Sequence, residues 1–184
     1  MVNIRPARGA DAAAIAAIYA PSVSDSAASF ELVPPSAEEM GNRIQRRPRL
    51  PWLVAQVQDE VVGYAYAGRH HERAAYGWSA DCSVYIAAGS RRHGVGRALY
   101  VALFAELRQL GYVSVFAGIA LPNASSVALH ERMGFATVGI YPNAGFKFGR
   151  WHDVGWWWLR LTPTLPTDPP LPREWSPASD SARL

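Results

Sequence analysis

An α/β domain built on one mixed sheet, with elements in the order β-α-α-β-β-β-α-β-α-β-β, is the fold class this sequence predicts. Three observations point to it. Short β-branched and aromatic runs alternate with helical stripes along most of the chain. Apolar residues make up 49% of the 184 positions, enough to fill the core of one domain. Finally, Val84-Tyr85-Ile86 breaks over Ala87-Ala88-Gly89 into Arg91-x-x-Gly94-x-Gly96 and a long helical pattern, which is a strand–loop–helix joint.

Val2–Ala7 reads as the first strand, and a helix follows from Asp11, whose side chain is placed to cap it. Ile15, Ile18 and Tyr19 form its buried stripe, and Pro21 ends or bends it. Ser24–Pro35 is a loop that carries Phe30. Ser36-Ala37-Glu38-Glu39 has the form of a capping box, so a second helix runs to about Arg47 before Pro48 and Pro51 stop it. Trp52–Gln58 and Val61–Gly68 are two strands joined as a hairpin at Asp59-Glu60.

Arg69–Trp78 is a polar and aromatic connection, and Ser79–Ala87 is the next strand. Gly94–Leu110 is the central helix, with Leu99, Leu103, Leu107 and Leu110 on one face and Gly111 at its C-cap. Val113–Ala120 is a continuous apolar run and predicts a strand buried on both faces. Pro122-Asn123 opens a helix that runs through Arg132. Phe135–Ile140 and Trp151–Leu161 close the sheet around a Gly145/Gly149 loop. Six of the 14 prolines fall after Leu161, which divides the chain into a domain over 1–161 and a Pro-rich tail over 162–184. That tail either wraps the surface or is disordered.

Composition narrows the function classes. The formal net charge is only +3, and no Lys/Arg run tracks a nucleic-acid backbone, so nucleic acid is not an expected partner. Nothing approaches the ~18 apolar residues of a membrane span, and the Ala-rich Ala10–Ala20 reads as a helix rather than a leader. Cys82 is the single cysteine, which fits a reducing compartment, and a cytoplasmic location is expected. His70, His71, Glu72, His93, His130 and His152 show no ligand spacing that closes a metal site, so no metal is expected. Cys82 alternates to the strand face opposite Asp81 and reads as packed. Trp156-Trp157-Trp158 reads as a strand with aromatic faces on the core and on a subunit interface.

The joint at Gly94 carries the chemistry. Glycines admit a ligand close to the backbone, and the following helix start offers free N–H groups and a positive dipole end, a combination suited to phosphate. Arg91, Arg92, His93 and Arg97 surround Gly94, Val95 and Gly96 with donors, and the loop reads as a pyrophosphate cradle. A P-loop is excluded because Arg97-Ala98 stands where Lys-Ser/Thr is required, and a dinucleotide fingerprint because Leu99 occupies its third small position. A glycine turn with solvated arginines is the alternative.

Arg91-x-x-Gly94-x-Gly96 between strand and helix, with Glu131-Arg132-Met133-Gly134-Phe135 downstream, resembles the GCN5-related N-acetyltransferase (GNAT) superfamily. Pro51-Trp52-Leu53-Val54-Ala55, Gly63-Tyr64-Ala65-Tyr66-Ala67, Ser83-Val84-Tyr85, Leu121-Pro122-Asn123, Leu129-His130-Glu131 and Gly149-Arg150-Trp151-His152-Asp153-Val154-Gly155 look like its phosphinothricin, arsinothricin and methionine sulfoximine N-acetyltransferase branch. The resemblance spans Ile4 to Leu161. It implies the GNAT fold, a homodimer, acetyl-CoA as co-substrate, and detoxifying acetylation of the α-amine of a small amino-acid analogue by direct transfer in a ternary complex. It further implies that the main chain of Val84, Tyr85 and Ile86 pairs with the pantetheine and that Asn123 contacts the cofactor; Asn123 also reads as a helix N-cap. Arg132 either reaches the phosphates or is a solvated helix arginine.

Proton transfer has two candidates. Asp81 stands where this branch often carries Glu, one methylene longer, so that Asp81 reaches an amine through water. His130 stands where many relatives have Tyr, and its imidazole is suited to take the amine's proton or to hold substrate. Arg73 and Tyr76 match branch positions that bind the substrate's anionic group, His71 replaces the usual Lys or Arg there, and Phe30 lines the pocket mouth. Other readings are acetylation of a different amine or a peptide N-terminus, and a silent acyl-CoA-binding module.

Overall fold

The computed structural model describes residues 2–177. Seven strands form one sheet in the order β1-β2-β3-β4-β5-β7-β6, with β1 Asn3–Pro6, β2 Trp52–Val57, β3 Glu60–Arg69, β4 Ser79–Ile86, β5 Ser114–Ala120, β6 Ala136–Lys147 and β7 Arg150–Arg160. Neighbours are antiparallel except β4 and β5, which run parallel. The helices are α1 Ala12–Ser24, α2 Ala37–Gln45, α3 Val95–Leu110 and α4 Ala124–Arg132. The element order is the one the sequence predicts. Among the described residues, no helix is long and apolar enough to cross a membrane.

Strand alternation sorts side chains into two cores. Leu53, Ala55, Ala65, Ala80, Cys82, Val115, Ala117 and Trp157 face α3, whose Leu99, Leu103 and Leu107 are fully buried. Trp52, Val54 and Tyr64 face the opposite way, onto Ile15, Tyr19 and Val23 of α1 and Met40 and Ile44 of α2. Tyr64, Tyr66 and Trp52 stack there as an aromatic layer, with Tyr85 beside Tyr64 at 5.3 Å.

Four local readings are corrected by the structure. Pro21 does not end α1, which continues to Ser24 because Tyr19 and Val23 bury on the sheet and packing outweighs the missing N–H. Asp11 does not cap α1; its carboxylate accepts two hydrogen bonds from Arg5 at 2.7 Å and one from the Arg8 N–H at 2.8 Å. β5 is buried on one face only: Val115, Ala117 and Ile119 are buried, whereas Phe116 is half-buried and Gly118 exposed on the other face. Gly145 lies within β6, and the tight turn is Phe148-Gly149, both at positive φ. A side chain at Gly145 would strike the Phe30 ring, so the glycine lets that ring lie against the strand.

The other capping signals hold. The Ser36 hydroxyl accepts from the Glu39 N–H at 3.1 Å, although the Glu39 carboxylate binds Arg43 rather than completing the box. Asn123 caps α4 through the Ser126 N–H at 3.2 Å. Past Leu161 the chain wraps the domain. Trp78 Nε1 donates to the Pro170 carbonyl, the Arg173 N–H to the Leu110 carbonyl, and buried Trp175 donates from its indole to Glu106 at 2.9 Å. Residues 178–184 of the tail lie outside the described residues.

Candidate active site

The parallel ladder between β4 and β5 ends early. Only Ser79, Ala80 and Asp81 pair, with Ser114, Val115 and Phe116, after which the strands part. The register of β4 on β3 tells which main-chain groups face the gap. Ala87 N–H donates to the Val62 carbonyl on the β3 side, while the Trp78 carbonyl accepts from the β5 side. Alternation therefore turns the peptide groups of Cys82, Val84 and Ile86 toward the gap and leaves that edge open to a ligand. A cleft of about 1620 Å³ occupies the splay, lined by 82–86 on one side and Ala117–Asn123 on the other.

At the far end of the strand lies the glycine joint. Gly94 holds φ +78 at the N-cap of α3, and the space where its Cβ would stand is empty to 4 Å. The first intrahelical bond runs from the Ala98 N–H to the Gly94 carbonyl, so the N–H groups of Val95, Gly96 and Arg97 have no intrahelical acceptor. Arg91, Arg92, Arg97, Asn123 and Arg132 line the same cleft, and Arg91 Nε donates to the Ile86 carbonyl at 3.2 Å. A pyrophosphate with an amide-bearing arm fits this set: free donors and three arginines at one end, an open strand edge leading inward. Gly96 has a packing reason as well, since a side chain there would meet Leu129 of α4 at 3.3 Å. His93 departs from the expected cradle and lines a separate small pocket with Val2 and Val57.

The two proton candidates stand on opposite faces of the sheet. His130 is buried on the α3 side. Its Nδ1 lies 2.8 Å from the Ser126 carbonyl, which can only accept, so Nδ1 carries the hydrogen. Nε2 then accepts from the Tyr100 hydroxyl at 2.9 Å. Both nitrogens are occupied, and burial lowers the pKa of the imidazole despite the Ser126 carbonyl. Cys82 is buried on the same face against the Tyr100 hydroxyl, and burial pushes its thiol well up, which leaves it packed and inert.

Asp81 lies on the other face, at the last rung before the strands part. Its carboxylate accepts from His70 Nδ1 at 2.7 Å. Burial raises the carboxyl's pKa, and the His70 bond opposes that rise without cancelling it. The His70 ring is stacked on Phe116 at 4.3 Å, with Tyr76, His71 and Trp156 at its edges. Trp156 thus faces this site across Gly118, while Trp157 enters the core.

Among the expected substrate residues, His71 and Tyr76 pack together at 4.6 Å beside Asp81, and Arg73 is exposed on the same connection. Phe30 lies apart from them, on Gly145 and 6.1 Å from the His152 ring. Sequence reasoning weighed His70 only as a metal ligand and Trp156 only as a packing aromatic, and it passed over Phe116 and Tyr100. Only the β3–β4 register points to His70: Gly68 pairs with Asp81, so residue 70 is its diagonal neighbour on the same sheet face. Among the described residues, no cluster of His, Cys, Asp and Glu groups into a metal site.

Known proteins share this architecture. The Acetyltransferase (GNAT) domain family matches residues 4–156. The chain is 41% identical to a phosphinothricin N-acetyltransferase of Streptomyces viridochromogenes over 85% of its own length and 86% of that protein. It is 35% identical to an L-methionine sulfoximine/L-methionine sulfone acetyltransferase of Pseudomonas aeruginosa, covering 88% and 96% of the two chains. The structure of a GNAT superfamily phosphinothricin acetyltransferase from Sinorhizobium meliloti, in complex with acetyl-CoA, superposes with TM-score 0.86 at 34% identity, covering 92% and 93%.

Proposed function

The chain belongs to the GNAT acetyltransferase family and is an N-acetyltransferase, and from that premise we propose that it acetylates the α-amine of a small amino-acid analogue of the phosphinothricin, arsinothricin or methionine sulfoximine type, with acetyl-CoA as donor. The observation that carries the reading is the parting of β4 from β5 just past Asp81, beside a cleft lined by the arginine-rich helix start and by the strand segments 82–86 and 117–123.

Bound in that cleft, acetyl-CoA would supply an activated acyl group as a thioester. The open edge of Cys82, Val84 and Ile86 offers N–H donors to an amide-bearing arm and to a thioester oxygen, where fixed dipoles favour developing negative charge. Arg91, Arg92 and Arg97, with the free N–H groups at Gly96, hold the pyrophosphate, and Asn123 and Arg132 border it. On the opposite face an α-ammonium must lose a proton before its nitrogen has a lone pair, and Asp81, with the His70 ring bonded to it, forms the acid–base group there. His130 belongs to the cofactor face, where it fixes the Tyr100 hydroxyl. Arg73 and His71 supply cationic and donor groups for the substrate's anionic end, Tyr76 an aromatic wall, and Phe30 the opposite side of the mouth.

We assign the active form as a cytoplasmic homodimer. Val138, Ile140, Phe146 and Trp151 on the β6–β7 hairpin are each more than half exposed and supply apolar area for it. The function is tested by thiol release from acetyl-CoA with a panel of L-amino acids and analogues. Saturable release with α-amines that carry a second anionic or sulfoximine group is expected. Release no faster than spontaneous hydrolysis across the whole panel contradicts the assignment.

A further inference from the structure

We propose that His70 takes the proton from the substrate's ammonium, with Asp81 as the carboxylate that orients it; the inference rests on the acetyltransferase reading and assigns the proton within that site. Sheet geometry builds the pair. Gly68 is directly opposite Asp81, and a Cβ at Gly68 would meet nothing within 4 Å, so the space over Asp81 is free for the His70 ring. The imidazole comes down from the diagonal position and closes on the carboxylate at 2.7 Å, in the range of a charge-assisted bond.

That bond fixes the tautomer. The carboxylate accepts, so Nδ1 carries the hydrogen and the neutral ring presents a lone pair at Nε2. Among the described residues Nε2 has no partner, whereas both nitrogens of His130 are occupied. The ring is also held in place. It lies 11° from parallel with Phe116, the residue that pairs with Asp81 at the last rung of the ladder. His70 therefore sits over the point where the strands part, with a side chain only 15% exposed.

The groups packed around His70 come from several elements. β4 contributes Asp81; the β3–β4 connection contributes His71 and the Tyr76 phenol; Phe116 and Trp156, from β5 and β7, carry no charge. Tyr66 of β3 reaches Asp81 only as a phenol. Driving force separates the two candidate bases. An unperturbed imidazole is more basic than an unperturbed carboxylate by roughly two to three pKa units, so an ammonium gives up its proton to a ring at a correspondingly smaller cost. Burial raises Asp81 and narrows that gap, while its bond from His70 ties up one oxygen.

In the step itself an ammonium N–H bond breaks, its electron pair stays on nitrogen, and an Nε2–H bond forms. Asp81 stays ionised and stabilises the imidazolium, which passes its proton to water. The second proton, lost from nitrogen as the amide forms, ends on the leaving thiol.

The experiment compares wild type, His70→Ala and His70→Gln by thiol release, with acetyl-CoA KM, the pH dependence of kcat/KM and rescue by added imidazole. Two substrates of different amine pKa separate the enzyme's limb from the amine's. Both variants are expected to lose kcat by about 10²–10³, with acetyl-CoA KM within about twofold of wild type. The wild-type acidic limb falls in the imidazole range and is absent from the variants, and imidazole restores turnover to His70→Ala. A His70→Gln enzyme within about threefold of wild type, or a lost kcat that imidazole does not restore while the limb persists, overturns the proposal. In that case turnover by wild type leaves the acetyltransferase reading standing and returns the proton to Asp81; no turnover by wild type overturns both.

Discussion

Burial divides the histidines by role. His130 is held neutral by its surroundings and spends both nitrogens on Ser126 and Tyr100. Because burial lowers its pKa in the folded state, the unfolded chain binds the extra proton more readily. The stabilising effect of the neutral ring is therefore complete above the unfolded pKa of ~6.5 and declines as pH falls from there toward the folded value. His130→Phe should flatten that part of the stability–pH curve in urea titrations. It should cost about 1–3 kcal/mol at pH 7.5, by leaving buried polar groups unpaired, with kcat reduced less than tenfold. A hundredfold fall in kcat with unchanged stability would return His130 to proton chemistry. The sequence places His130 beside substrate or amine; it cannot show that an α3 tyrosine, 30 positions away, closes on the ring. Asp81 is legible because it lies in the cradle strand just ahead of Val84-Tyr85-Ile86, but its histidine becomes visible only once the β3–β4 register is known.

At the level of elements, the strand–loop–helix joint was the most legible part of the molecule, since its glycines and arginines are local in sequence. Gly94→Val puts a β-branched residue at φ +78, which strains the loop, and points its side chain into the open cradle. The KM for acetyl-CoA should rise tenfold or more, with kcat at saturation largely kept; wild-type affinity in a folded variant would remove Gly94 from the cradle. The loop before α2 shows the opposite case. The buried Lys147 ammonium donates to the carbonyls of Val23, Ser29 and Glu31 at 2.6–2.8 Å, pinning the Phe30 loop to the β6–β7 hairpin. Its partners lie 116 to 124 positions away and are main-chain oxygens, so no residue pattern announces them. Lys147→Met should destabilise by at least about 2 kcal/mol, because three buried carbonyls lose their donor. Limited proteolysis should cut first within 24–35, and an unchanged cleavage pattern would mean that the loop is held by the Tyr19–Glu31–Arg43 bonds alone.

For the whole molecule, the element order and the mixed sheet follow from the alternating apolar patterns, but the strand order and the course of the tail do not. Its prolines announce an extended chain; only Trp175, buried against the core and bonded to Glu106, says where it docks. Trp175→Ala should cost about 3–5 kcal/mol of stability with kcat unchanged, and a variant as stable as wild type would make the strap decorative. At the other end, burial raises the Asp11 carboxyl but the Arg5 and Arg8 bonds more than reverse it, leaving its pKa below the ordinary value. Its contribution is thus present above the unfolded pKa of ~4 and lost as pH falls through the folded one, so Arg5→Met should weaken the protein at pH 7 and flatten its acid transition. The account as a whole holds that the parted strands separate two tasks, donor binding on the α3 side of the sheet and proton chemistry at Asp81 on the other. Asp81→Asn keeps the shape and removes the carboxylate, so the direct measurement is its kcat beside its acetyl-CoA affinity. The division of tasks predicts a kcat lower by about 10²–10⁴ with affinity unchanged; a near wild-type kcat, or an equal loss of acetyl-CoA binding, would contradict it.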